Sequence, residues 1–416
     1  MTRRTGAAVT LTAALLAVFG TTPAGAAPVA TASAASDVVP GQYIVVLADT
    51  QDSRAVSREH ANRHGAQVSA VYRSAVRGYA ARMSGTAAAR IAADPRVAWV
   101  QPDRIVTATA QSTPTGIDRA DAELSPTARI NGTDERVDVD VAVIDTGIDL
   151  DHPDLNVHTA GAKNCSTGRS ANDGNGHGTH VAGTIGALDN GLGVVGVAPG
   201  ARVWPVRVLD NRGSGTTSSV VCGIDFVTAN ASSIEVANMS LGGGGADDGN
   251  CGNTNNDIEH KAICRSVAAG VTYVVAAGNS YEDSSRHIPA AYDEVVTVSA
   301  LADFNGAPGG GAAPTCRTDE DDTLANFSNY GADVDLIAPG VCIESTWLNG
   351  GYNTISGTSM ASPHAAGGAA LYKANNPGAS PTQVKSALQN AGTTDWTWPA
   401  QDPDGIKEKL LNVATF

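Results

Sequence analysis

The stretch RVDVDVAVID (136–145) opens in strict alternation, closes on the apolar run Val141-Ala142-Val143-Ile144 and stops on a single carboxylate, Asp145. A β-branched run of this kind suits a strand covered on both faces, the habit of parallel sheets. Five more runs share that character: ARVWPVRVLD (201–210), IEVANMSL (234–241), VTYVVAAGN (271–279), EVVTVSA (294–300) and VDLIAPG (334–340). Helical patterns occupy 178–188, 216–230, 256–269, 359–374 and 381–391, the last opening on the capping box Ser380-Pro381-Thr382-Gln383. This alternation predicts an α/β domain over 111–416, a parallel sheet with helices on both faces. Ligands of such sheets gather at the carboxyl ends of strands and at helix N-termini.

Upstream, two segments of different character precede this domain. Residues 1–26 combine Arg3 and Arg4, an apolar stretch and the small-residue site Ala24-Gly25-Ala26, the pattern of a secretory signal peptide. The apolar run is too short for a permanent membrane anchor, so a secreted, extracellular protein is expected, with the Sec and Tat routes both open. Residues 27–110 hold QYIVVL (42–47), SRAVSREHANRHG, a strand near Val68–Tyr72, GYAARM, TAAARIAAD and VAWVQPDRIV. Their strand and helix order predicts a small α+β ferredoxin-like sandwich. RIVTATAQSTPTG then runs on without periodicity, as a cleavable link would.

Six cysteines (165, 222, 251, 264, 316, 342) show no C-x-x-C spacing, which disfavours metal or thioredoxin-type roles and favours three structural disulfides. Fifteen connectivities are open; sequential pairing is expected, with Cys251–Cys264 foremost because both flank one short polar loop. Charge is divided unevenly: 11 Lys+Arg against 6 Asp+Glu up to Ala110, and 16 against 36 after it. The acidic remainder argues against nucleic-acid binding, and the opposite signs would draw the two parts together.

Three residues carry the chemistry. Asp145 ends a strand, His177 stands at a glycine-flanked helix start in GNGHGTHVAGT, and Ser359 stands at another in ISGTSMASPH. Singly, each reads more simply as a turn, packing or capping residue. Together they supply what acyl transfer needs: a hydroxyl, an imidazole to take its proton, and a carboxylate to fix the tautomer of that imidazole. Ser359 is expected to cap its helix, so that cap and nucleophile are one residue.

The motifs VIDTGID…HPDL, GHGTHVAGT, NMSLGG, AAGN and ISGTSMASPH, standing in this order, resemble the catalytic domain of the subtilisin-like serine proteases, near the proteinase K branch. The upstream unit resembles the family's inhibitor-like propeptide. The resemblance implies a secreted serine endopeptidase, made as a self-processed precursor, with Asp145 orienting His177, His177 as general base and Ser359 as nucleophile. It implies Asn279 of AAGN as a donor to the oxyanion. It places an extended peptide along Ser240, Leu241, Gly242 and Gly243, with broad specificity and an apolar or aromatic preference. Partners are then protein and peptide substrates and the chain's own propeptide as intramolecular inhibitor, with no nucleic acid, no membrane anchor and a monomeric state.

No organic cofactor is implied, but structural calcium is. Asp154 and LDNGLGV (188–194) match the family's calcium loop, with side-chain oxygens from Asp154 and Asn190 and carbonyls from Leu188, Leu192 and Val194. A second site would use Asp335 with the carbonyls of Asp293 and Val295. Against a zinc hydrolase, HGTH (177–180) lacks the glutamate and the i,i+4 spacing of the zincin helix; His180 and His364 read as packed, hydrogen-bonded residues. A catalytically dead scaffold would have lost one of Asp145, His177, Asn279 or Ser359, and a protease dedicated to one partner is distinguished only by substrate profiling.

Overall fold

The computed structural model describes residues 38–104, 111–398 and 402–416. The expected signal peptide and the link from Val106 up to residue 110 lie outside the described residues. The chain divides into two compact units, the first ending ahead of Gln111.

In the first unit β1 (Val38–Leu47), α1 (Ser53–His64), β2 (Gln67–Tyr72), β3 (Gly78–Arg82), α2 (Gly85–Ala92) and β4 (Val97–Arg104) follow the expected order. Asp52 and Ser84 cap the two helices by accepting from first-turn N–H groups. The strands pair antiparallel in the order β2-β3-β1-β4, and Val45, Leu47, Tyr79, Ile91 and Val100 close the core.

The second unit opens with α3 (Thr115–Arg119) and continues through β5 (Asp140–Asp145), β6 (Lys163–Asn164), α4 (His177–Gly186), β7 (Arg202–Arg207), α5 (Thr217–Ala229), β8 (Val236–Met239) and β9 (Gly243–Gly244). Then come α6 (Ile258–Ala268), β10 (Thr272–Ala276), β11 (His287–Ile288), β12 (Val296–Ala302), β13 (Thr323–Leu324), β14 (Leu336–Pro339), β15 (Ile343–Trp347) and β16 (Gly351–Ile355). The unit closes with α7 (Thr358–Asn375), α8 (Pro381–Ala391) and β17 (Lys409–Leu410). The main sheet runs β17-β14-β12-β10-β8-β5-β7-β6, every neighbouring pair parallel, with β13 antiparallel on β12. Val181, Ile185, Ala365, Ala369 and Leu388 cover one face, and Val220, Ile224, Val227 and Ile263 the other. Each predicted strand is present; most are shorter, while β12 keeps its length and is displaced two residues toward the C-terminus, and β5 begins only at Asp140, since the Val137 N–H bonds the Pro199 carbonyl instead of a neighbouring strand.

The order of this sheet decides where a site can form. The chain leaves β5 toward β7 on one side and resumes with β8 on the other, so the direction of winding reverses at β5. A crevice opens at the carboxyl end of the strand where winding reverses, and Asp145 is the last residue of β5. Helix α7 crosses behind it, buried over most of its 18 residues. Alanine and glycine make that closeness feasible: a Cβ on Gly367 would lie 2.5 Å from the Val197 Cβ. The disulfides are sequential, Cys165–Cys222, Cys251–Cys264 and Cys316–Cys342.

Candidate active site

Asp145 is fully buried. One of its oxygens accepts the Thr146 N–H at 2.6 Å, and its two oxygens lie 2.8 and 3.0 Å from His177 Nδ1. A carboxylate takes only donors, so Nδ1 carries the proton and Nε2 is left as the basic nitrogen. His177 is the first residue of α4, and the loop before it is set by buried Asp173, which accepts from the N–H groups of Asn175, Gly176 and Thr179 and from the Thr179 hydroxyl. The approach of α4 to β5 requires glycine at 178, where a Cβ would stand 2.1 Å from the Gly147 carbonyl. Burial lowers the imidazole pKa, but the charge and hydrogen bond of Asp145, with the charge of Asp173, outweigh it and leave the pKa raised.

Ser359 is the second residue of α7; the cap is Gly357, and no side chain bonds across the helix end. The expectation that Ser359 caps its helix is therefore corrected: its Oγ is directed away from the helix and donates to the Ser240 carbonyl at 3.3 Å. With α7 starting at Thr358, Ser359 stands inside the helix rather than ahead of it. Pro363 has no N–H to give the Ser359 carbonyl, and the Ser240 hydroxyl supplies the missing donor at 2.9 Å. Asn238 donates to that same hydroxyl at 2.9 Å and accepts from Ser362 at 2.7 Å, completing a buried polar chain from β8 to α7.

Asn279 follows Gly278 at the end of β10, where φ is +109° and a Cβ would meet Asn329 at 2.4 Å. Its Oδ1 accepts both the N–H and the hydroxyl of Thr358, at 2.8 and 3.0 Å. A backbone N–H can only donate, so the amide is oriented and its Nδ2 is the half left to donate. Asn279 and Ser359 line one cavity of ≈ 360 Å³, and His177 lines an adjoining one of ≈ 680 Å³; Leu241, Gly242, Gly243 and Gly244 border both. Gly243 and Gly244 pair with β11 along one edge, and the other edge is unpaired among the described residues.

The larger cavity also holds Glu259, which sequence reasoning missed because it reads as an ordinary first-turn acid of α6. It is 6 % exposed, and its Oε1 is buried without a hydrogen-bond partner. Burial, reinforced by the charge of Asp257, pushes this carboxyl up to about 7.

Three further histidines of this unit, His152, His180 and His364, are engaged separately. His180 Nε2 donates to the Ile343 and Asn353 carbonyls, His364 Nδ1 meets the Met360 carbonyl, and His152 Nε2 meets that of Gly351. Burial pushes His180 down to about 3 and His364 to about 4, so both are neutral.

Of the two expected calcium sites, the first has part of its donor set gathered. Asp154 is fully buried, accepts from Asn190, Val194 N–H and the Tyr352 hydroxyl, and has no Lys or Arg partner among the described residues. The Leu188 and Val194 carbonyls converge on Gln111 Nε2, at 2.5 and 2.9 Å, while Leu192 lies on the exposed turn with its N–H on Asn190 Oδ1. Gln111 was not legible as part of this group, being 77 residues from Leu188. The second expectation is corrected: Lys385 Nζ lies 2.8 Å from Asp335 and donates to the carbonyls of Asp293 and Val295 at 3.2 and 2.8 Å. An ammonium of the chain itself takes the place of the cation.

Residues 137–406 match the subtilase family and residues 42–109 match the peptidase inhibitor I9 family. The extracellular serine proteinase of Thermus sp. (strain Rt41A) is 39 % identical over 381 residues, 85 % of each chain. Subtilisin E of Bacillus subtilis (strain 168) is 36 % identical over 357 residues, again 85 % of each. Among solved structures, a cold-adapted subtilisin-like serine proteinase superposes with a TM-score of 0.56 at 37 % identity, covering 72 % of this chain and 97 % of the other. The chain belongs to the subtilase family: it is a serine endopeptidase with an I9 inhibitor domain ahead of the enzyme domain.

Glu259 gives this unit a measurable pH dependence. With its folded pKa near 7 and an ordinary value of 4.5, the carboxyl ionises first in the unfolded chain, so stability falls as pH rises from 4.5 through 7. In protein blocked by a serine-directed reagent, denaturant unfolding at both ends of that window is expected to show a smaller loss for Glu259→Gln than for the parent, by up to about 3 kcal/mol. Equal losses would show that Glu259 titrates normally.

Proposed function

We propose that this chain is a secreted precursor in which Ser359 is the nucleophile, His177 the general base, Asp145 its orienting acid and Asn279 an oxyanion donor. Residues 1–26 are the signal peptide, 27–110 the inhibitor-like propeptide and 111–416 the peptidase domain. The observation that carries this reading is the hydrogen bond of His177 Nδ1 to a fully buried carboxylate, at the end of the strand where the sheet reverses its winding.

The chemistry then runs as follows. A peptide lies along the unpaired edge at Ser240–Gly243, gripped through its main chain, with the side chain before the scissile bond in the cavity beside Ser359 and Asn279. Leu241, Ala276, Ala277, Ile288 and Ala290 give that cavity an apolar part, which supports an apolar or aromatic preference, while Ser280, His287 and Thr358 add polar groups to its walls. The Ser359 hydroxyl leaves the Ser240 carbonyl for His177 Nε2 and attacks the peptide carbonyl as the imidazole takes its proton. The developing oxyanion accepts from Asn279 Nδ2 and from the Ser359 N–H, a first-turn donor with no carbonyl four residues back within the helix. His177 returns the proton to the leaving amine, and water, activated by the same nitrogen, hydrolyses the acyl-enzyme. The link near Val106–Gln111 is the first substrate, cut in cis.

Calcium is structural in this reading. A fully buried carboxylate without a cationic partner, beside two carbonyls converging on one point, is a donor set for a hard cation. Asp154, Asn190, Leu188, Leu192 and Val194 would hold it. Such an ion would supply positive charge that holds the 188–194 loop.

Three outcomes test this reading. A Ser359→Ala precursor is expected to stay uncleaved at the link and to resist labelling by a serine-directed phosphonate; self-cleavage of the purified variant refutes the assignment. Asn279→Ala is expected to lower kcat by about 10²–10³ with KM little changed, a magnitude known for this donor within the family; an unchanged kcat removes Asn279 from the mechanism. Asp154→Asn is expected to abolish most of the rise in Tm that calcium gives the parent over a chelator, and an undiminished rise would place the ion elsewhere.

A further inference from the structure

The segment Asp402-Pro403-Asp404-Gly405-Ile406-Lys407-Glu408 lies far in sequence from every residue assigned above and leads into β17, the outermost strand of the main sheet. Asp402 and Glu408 are 7 % and 5 % exposed. Four carboxylate oxygens here, Asp402 Oδ1, Asp404 Oδ2 and both oxygens of Glu408, are buried without a hydrogen-bond partner. The three carboxylates offer ligand atoms that all lie within 4.8 Å of one another.

Their arrangement is directed rather than accidental crowding. Trp398 Nε1 donates to Asp402 Oδ2 at 2.9 Å and the Ile406 N–H to Asp404 Oδ1 at 2.7 Å, so each aspartate has one oxygen held by the protein and one left over. Gly405, at φ +78°, turns the chain between Asp404 and Glu408. The cation within the segment is committed elsewhere: Lys407 Nζ donates to the Thr394 and Trp396 carbonyls at 2.7 and 2.8 Å and lies over the Trp396 ring. Among the described residues no Lys or Arg pairs with any of the three carboxylates. Unpaired carboxylates removed from water cost several kcal/mol each, and mutual repulsion adds to that.

We infer that Asp402, Asp404 and Glu408 form a calcium site, distinct from the one at Asp154, that fastens the C-terminal segment to the edge of the sheet. The donor set is all carboxylate oxygen, with neither nitrogen nor sulfur, which selects a hard cation. Oxygens on opposite sides of a calcium ion stand up to about 5 Å apart, since each lies 2.3–2.6 Å from it, and the cluster fits inside that sphere. Glu408 presents both oxygens for bidentate ligation, and water or backbone carbonyls complete the six to eight ligands. The ion would tie the Trp396–Trp398 segment to β17, and beyond β17 the chain ends at Phe416, whose carbonyl accepts the Ser125 hydroxyl at 2.8 Å.

Terbium supplies the test, because Trp398 touches a ligand carboxylate and would sensitise its emission. In full-length Ser359→Ala, Asp154→Asn protein, tryptophan excitation is expected to produce terbium luminescence that calcium displaces. Adding Glu408→Gln should weaken terbium and calcium binding by more than about 10-fold. Asp402→Asn is the parallel variant should Glu408→Gln fold poorly, and calorimetric titration with calcium counts the site directly. Emission that persists in both variants, or that calcium does not displace, overturns the inference. So does a Glu408→Gln protein that is stabilised in chelator while the parent binds no calcium, since the cluster would then be holding a shared proton.

Discussion

A fully buried carboxylate is the constraint around which the cleft is built. Asp145 ends a strand in the middle of a parallel sheet, where no water can solvate it, so each of its oxygens must be met by a donor of the protein. The Thr146 N–H and the His177 ring meet that need. Their closeness in turn dictates glycine at 178, the rigid loop on Asp173 and the side from which α4 approaches. The imidazole is thereby held with one nitrogen spoken for and the other basic, whatever reaction it serves. The sheet reversal at β5 brings the carboxyl ends of β8 and β10 beside it, and with them the polar residues of the 240 and 279 segments.

Much of this is legible along the chain. Strands buried on both faces must be apolar on both faces, so their runs stand out, and the helix at Pro381 announces itself through Ser380 and Gln383, whose reciprocal bonds are formed. The family's motifs are legible for a related reason: each lies within one short segment, where a strand end or a helix start forces its neighbours to be glycine, alanine or a small hydroxyl. Sequential disulfide pairing was one choice among fifteen and is the one formed.

What escaped the sequence depends on meetings between distant residues. Lys385 in a helical pattern looks like a solvated charge, yet its stem carries the ammonium back onto Asp335 and two carbonyls, where a metal had been expected. Gln111 looks like part of a polar link, yet it reaches the 188–194 loop. Ser359 in a Gly-Thr-Ser sequence looks like a cap because serine so often is one, but helix α7 starts one residue earlier and frees the hydroxyl. Glu259 gives no local sign of burial, since only the fold decides that its helix end faces a cavity.

Pro363 leaves a rung missing at the base of α7, and Ser240 fills it from the neighbouring segment. Two pieces of backbone are thereby yoked, one bearing the hydroxyl of Ser359 and the other the edge along which a peptide would lie. Sliding the helix start against its partner would break this bond and leave the Ser359 carbonyl unmet, so the offset between them is held at a cost in free energy. Alignment in this cleft is thus a relative quantity, set by how these two segments are joined.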